Sequence, residues 1–138
     1  MESLIIEATA NTPAIKFDAK KHIFVISGES KPEDSRKFYA PVVGWFEKYK
    51  IYLDTILKEE DAKIVTITFD IKFVYFNSSS AKFIMDIFFI LKECKTKFKD
   101  LNVVINWFYN IDDEDMQEAG IEFEKLTGIE FDLLSYRD

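Results

Sequence analysis

Apolar and polar residues alternate along much of the first thirty positions. Leu4 to Thr9, Ala14 to Phe17 and His22 to Ser27 carry the two-residue period of strands with one buried face. Asn11-Thr12-Pro13 and Asp18-Ala19-Lys20-Lys21 separate these runs, and both have turn chemistry, since Pro fixes its φ and Asn or Asp bonds back to nearby backbone. An N-terminal hairpin at a sheet edge is predicted. Gly28 to Pro32 ends the alternation, and Ser30-Lys31-Pro32-Glu33 has the spacing of a capping box that opens a helix. Phe38, Val42, Trp45, Phe46, Tyr49, Tyr52, Leu53 and Ile56 then recur every three or four residues. Pro41 lies inside that pattern, which predicts a kink or a short first turn followed by a new helix start.

The period changes again at Ile64 to Phe76, a long β-branched and aromatic run expected to be the central strand, with a bend near Asp70. Asn77 to Lys99 returns to helical spacing, with Ala81, Ile84, Met85, Phe88 and Leu91 on one apolar flank and Phe83, Ile87, Ile90 and Cys94 widening it. Lys82, Asp86 and Glu93 leave only a narrow polar stripe, interrupted by Phe89. Leu101 to Tyr109 reads as a strand, Asp112 to Lys125 as a helix stopped near Gly128, and Phe131 to Tyr136 as a last strand or extended tail. Alternating strands and helices in the second half imply an α/β (α+β) fold, with helices on a central mixed sheet and right-handed crossovers between its parallel strands.

Composition narrows the function classes. A chain of 138 residues is the size of one domain, spanning 1–138, and 14 Phe, 6 Tyr and 2 Trp supply a large core. A net charge of -7 disfavours nucleic acid as a partner, because phosphate-backbone binders concentrate Lys and Arg. Cys94 is alone and reads as a buried core thiol. The N-terminus lacks signal-peptide features, and no run approaches the roughly 18 apolar residues of a bilayer span. The expectation is a cytoplasmic protein without membrane insertion.

The informative segment is Tyr75-Phe76-Asn77-Ser78-Ser79-Ser80-Ala81-Lys82, where a strand runs into a helix through four small polar residues. Asn and Ser are preferred caps, so the plain reading is a well-capped helix. The functional reading uses the same geometry. A phosphate on a hydroxyl at this point adds roughly -1.5 to -2 charges at the positive end of a helix, which tolerates it. The modification then acts on a partner, whose contacting surface meets a dianion instead of a neutral hydroxyl.

These residues carry a resemblance to a known family. Thr12-Pro13-Ala14-Ile15, Gly28-Glu29-Ser30, Pro32-Glu33-Asp34, Phe38-Tyr39, Pro41-Val42, Trp45, the serine segment and Met85-Asp86-Ile87 resemble the SiaC family of regulatory phosphoproteins. Trp107 and Asp113-Glu114-Asp115-Met116 extend the likeness through nearly the whole chain. The resemblance implies a fold similar to the anti-sigma-factor antagonist (STAS) domain, working in a partner-switching module without catalysis or cofactor of its own. In such a module a cognate protein kinase phosphorylates the first hydroxyl after the Asn and a PP2C-type phosphatase removes the phosphate. The unmodified form binds and activates a diguanylate cyclase in biofilm control. By motif position the acceptor is Ser78, with Ser79 competing, because Ser stands where Thr is often found. Asn77, Ser79, Ser80 and Lys82 flank the switch, and Phe89 and Asp86 are candidate partner contacts. The alternatives are a constitutive scaffold whose serines only cap a helix, and a small domain that binds an anionic metabolite at the same helix start.

Other constellations point to structure. His22 has no second His and no paired nucleophile, so a structural or surface role is expected. Asp112-Asp113-Glu114-Asp115 fails the EF-hand pattern, with Gln117 and Phe123 where Gly and Glu are required, and reads as an acid-rich helix start. Asp70 and Asp86 form a catalytic carboxylate pair only if the fold brings them together. Gly28, Gly44, Gly120 and Gly128 are isolated, so no glycine-rich phosphate loop exists.

Overall fold

The structure is a computed structural model that describes residues 1–59 and 63–138. Six strands, β1 (Leu4–Ile6), β2 (Ala14–Asp18), β3 (Ile23–Ser30), β4 (Val65–Phe76), β5 (Leu101–Asn110) and β6 (Phe131–Tyr136), form one sheet in sequence order. Three helices, α1 (Ser35–Leu57), α2 (Ser78–Lys97) and α3 (Glu114–Thr127), connect β3 to β4, β4 to β5 and β5 to β6. β1, β2 and β3 pair antiparallel, as the alternating N-terminal pattern predicted, and β3 to β6 are parallel.

Crossovers that advance in one direction along the sheet place their helices on one face. Phe69 of β4 accordingly meets Phe46 of α1 at 5.7 Å and Phe88 of α2 at 6.3 Å, and Trp107 of β5 meets Phe123 of α3 at 5.4 Å. Phe17, Phe24, Ile67, Ile71 and Ile105 complete this buried layer. β4 is central, with β3 on one side and β5 on the other. Among the described residues no helix is long and apolar enough to cross a membrane.

Several local expectations change. The first strand ends at Ile6 instead of Thr9, and His22 precedes β3 in a turn with φ 58°. Ser30 does not open α1: it is the last residue of β3, fully buried, and Asp34 caps the helix by accepting from the Lys37 amide at 3.1 Å. Pro41 neither ends nor restarts α1, which runs from Ser35 to Leu57 as one helix. Pro41 and Lys37 are both exposed, so the carbonyl that loses its donor lies on the solvent side. Pairing continues without a break through Asp70, and the irregularity lies further on, where Val74 is the extra residue opposite Gly28 and Glu29. Gly28, at φ 105°, takes the backbone that this bulge needs. Its consequence is positional, because the shift sets Ser30 beside Phe76 and brings the Asn77 amide to the Ser30 carbonyl at 2.9 Å.

Candidate functional site

The serine run lies where β4 turns into α2. Asn77 is the N-cap, with extended backbone, and its side-chain oxygen accepts from the Ser80 amide at 2.9 Å. This confirms the capping half of the sequence reading, since a short polar side chain satisfies one of the four orphan amides of the first turn. The three serines that follow have different surroundings. Ser78 is exposed and its hydroxyl has no hydrogen bond to the protein among the described residues. Ser79 is also exposed, yet its hydroxyl donates to Asn77 Oδ1 at 3.1 Å and lies 2.6 Å from the Ser35 hydroxyl on α1. Ser80 is fully buried, donates to the Ser30 carbonyl at 3.1 Å and accepts from the Ser30 hydroxyl at 2.8 Å.

Because the Ser30 proton goes to Ser80, the Tyr39 hydroxyl, 2.5 Å from Ser30 Oγ, is the donor in that contact. The four oxygens form one directed chain, Tyr39 to Ser30 to Ser80 to the Ser30 carbonyl, in a site without exposed surface. Burial pushes the Tyr39 phenol up to about 12, against the opposing effect of its hydrogen bonds to Ser30 and Ser80. Tyr39 therefore stays neutral and donating at physiological pH. Ser30 and Ser35 were not legible as site residues, because they stand 50 and 44 residues from Ser80 and Ser79, beyond the reach of any local pattern, and Tyr39 joins the site only through Ser30.

The two helices that meet at this point are in register along their length. Ser35 touches Ser79, Tyr39 stacks on Phe83 at 5.6 Å with 10° between the rings, Lys50 bonds Glu93 at 2.5 Å and Lys97 bonds Asp54 at 3.0 Å. The flank of α2 next to this seam, with Ser78, Lys82, Met85 and Phe89 at three- and four-residue spacing, is open. Phe89 is 43% exposed and lies about three turns from Ser78 on the same side. A groove lined by Phe89, Lys92, Glu93, Thr96 and Lys97 continues from it. Lys82 is exposed, with its ammonium 5.9 Å from the Phe83 ring centre. Asp86 is half-buried one turn beyond Lys82.

The carboxylate pair does not form. Asp70 alternates with Phe69 and Ile71 on β4 and so points to the sheet face without helices, where the Asn106 amide donates to it at 2.8 Å. Asp86 is on the other side of the sheet. His22 has a structural partner, with Nδ1 2.6 Å from the Tyr49 hydroxyl. In the acidic run Asp113 is the N-cap of α3, accepting from the Met116 amide at 3.0 Å. Among the described residues no group of three or more His, Cys, Asp and Glu side chains is arranged to hold a metal ion.

The model of the SiaC family of regulatory phosphoproteins matches residues 6–136. An uncharacterized protein of Pseudomonas aeruginosa strain UCBPP-PA14 is 28% identical over 131 residues, covering 95% of this chain and 94% of the relative. The crystal structure of apo-SiaC from Pseudomonas aeruginosa superposes with a TM-score of 0.78 at 28% identity, over 97% of this chain and 99% of that one. SiaC in a crystal structure with the diguanylate cyclase SiaD, which it activates, superposes with a TM-score of 0.80 at 27% identity, over 96% and 99% of the two chains. With its fold, its capped serine run and these matches, the chain belongs to the SiaC family of regulatory phosphoproteins.

Proposed function

We propose that this protein is a partner switch in which Ser78 is the phosphoacceptor, and that the form without phosphate binds and activates a diguanylate cyclase. One observation carries the acceptor assignment: of three consecutive serines, Ser78 alone has a hydroxyl that is both exposed and without a hydrogen bond to the described protein. The complex of the related SiaC with SiaD supports the choice of partner class. A cognate kinase adds the phosphate and a PP2C-type phosphatase removes it. Catalysis belongs to those proteins and to the cyclase, and the setting is cytoplasmic.

The geometry supports a switch read by the partner. A phosphate on Ser78 sits at the positive end of α2, so the helix end tolerates it. The flank that Ser78 shares with Lys82, Met85 and Phe89 changes from a neutral, partly apolar surface to one headed by a dianion. A partner that buries Phe89 as an anchor then faces the desolvation of that charge. Lys82, one turn on, is placed to approach the phosphate, and Asp86 borders the same surface.

The test is a binding assay with the diguanylate cyclase of the native host and three forms of the chain. Ser78→Ala should bind and activate the cyclase as the unmodified protein does, and Ser78→Asp should bind at least about tenfold more weakly, the size of one lost charge-compatible contact. Equal binding by both variants makes the protein a constitutive scaffold and rejects the switch.

A further inference from the structure

We infer that Ser35 determines which serine takes the phosphate, by occupying the Ser79 hydroxyl and leaving Ser78 as the reactive one. The inference rests on the switch reading given above and adds the residue that gives it site selectivity. Exposure does not distinguish the two serines, since both are exposed. Their hydroxyls differ in bonding. Ser79 donates its only proton to Asn77 Oδ1 at 3.1 Å, so the 2.6 Å contact with Ser35 has Ser35 as donor and a Ser79 lone pair as acceptor.

Phosphoryl transfer needs a lone pair of that oxygen, and Ser35 holds one of its two. The serine oxygen forms a bond to the γ-phosphorus of a nucleoside triphosphate, the bond from that phosphorus to the bridging oxygen breaks, the diphosphate leaves, and the hydroxyl proton passes to a base on the kinase. At Ser79 the proton is held by Asn77 and one of the two lone pairs by Ser35, so proton transfer must first break a hydrogen bond and attack is confined to the remaining lone pair. At Ser78 neither part is engaged. Ser35 holds its place because α1 and α2 are locked in register below it, by the Tyr39–Phe83 stack and the Lys50–Glu93 and Asp54–Lys97 ion pairs. Ser35 is thus a positioning residue, 9% exposed and untouched by the kinase reaction itself.

The test uses the full chain expressed in its native host, with the phosphate located by fragmentation mass spectrometry. Trypsin releases Phe73 to Lys82 as one peptide that holds all three serines. The wild type should carry its phosphate on Ser78. Ser35→Ala should raise the ratio of Ser79 to Ser78 phosphate about fivefold, the effect of one hydrogen bond of ordinary net strength. Ser35→Cys, a much weaker donor, should do the same, which protects the test against misfolding of one variant. Ser35→Thr, which keeps the hydroxyl, should behave as wild type, an outcome that a merely structural role for Ser35 does not require. Ser35→Ala combined with Ser78→Ala should carry about fivefold more phosphate on Ser79 than Ser78→Ala alone. An unchanged ratio in Ser35→Ala and Ser35→Cys overturns the role of Ser35 and leaves the switch intact. A wild-type peptide without phosphate under any growth condition overturns both.

Discussion

Ser80 accepts from the Ser30 hydroxyl at 2.8 Å and returns a hydrogen bond to the Ser30 carbonyl at 3.1 Å, which joins the end of β3 to the first turn of α2 across 50 residues of sequence. Both residues are fully buried, so neither has water as a substitute partner. Ser80→Ala strands the Ser30 hydroxyl and should cost about 1–3 kcal/mol, the penalty for an unsatisfied buried polar group. Urea unfolding should show a lower midpoint with an unchanged slope. A loss below about 0.5 kcal/mol, the range of ordinary surface substitutions, means that the network adds nothing to the fold.

Asn77 and Ser78 are neighbours with opposite expected sensitivities. Asn77 caps the Ser80 amide, and Asn77→Ala should cost about 1 kcal/mol. Ser78→Ala removes no hydrogen bond to the described protein and should shift stability by less than about 0.5 kcal/mol. The pair is measured by thermal or urea unfolding of both variants. A Ser78→Ala loss equal to that of Asn77→Ala assigns Ser78 a structural role and removes the free hydroxyl on which the switch depends.

Gly120 should be the least replaceable glycine. A Cβ at this position would lie 2.5 Å from Trp107 Cδ1 and 2.9 Å from Leu133 Cδ2, so α3 rests directly on β5 and β6. Trp107 is further pinned by donating its indole N–H to the Met116 carbonyl at 2.9 Å. Gly120→Ala should destabilise by about 1–3 kcal/mol through overpacking, although alanine is the better helix former. A neutral or stabilising result in calorimetry refutes this packing.

His22 offers a pH probe, because it is the single histidine in the chain. Burial lowers its pKa from 6.5, and the nearby Asp18 carboxylate acts in the opposite direction. The folded value lies below the unfolded one, so the fold favours neutral imidazole. Its contribution to stability is complete above about pH 6.5 and is lost as pH falls through the lower folded value. An NMR titration should place the His22 midpoint below 6.5. A midpoint above that value shows that the Asp18 charge outweighs burial.

Much of the fold is written in periodicity. The switch from two-residue alternation to three- and four-residue spacing marks β2, β3 and all three helices, and the β-branched and aromatic run Val65–Phe76 marks the central strand. Local motifs were weaker guides where two structures compete for one residue. Ser30-Lys31-Pro32-Glu33 matches a capping box, but the pairing of β3 with β4 keeps Ser30 in the sheet and leaves the cap to Asp34. Pro41 reads as a break, yet the apolar face of α1 continues across it, and burial of Tyr39, Val42 and Phe46 outweighs one missing backbone bond.

By itself the sequence determined the order of the elements, the serine run at a strand-to-helix junction and the cap that starts α2, because these depend on residues a few positions apart. It did not decide how the hydroxyls of Ser78, Ser79 and Ser80 are hydrogen-bonded. That bonding follows from the approach of β3 and α1 to the start of α2, where Ser30 pairs with Ser80 and Ser35 with Ser79. The physical reason is that a hydroxyl's reactivity depends on what occupies its proton and lone pairs. Asn77 is local to Ser79, but Ser35 and Ser30 stand 44 and 50 residues from their partners and become neighbours only when the sheet and helices close.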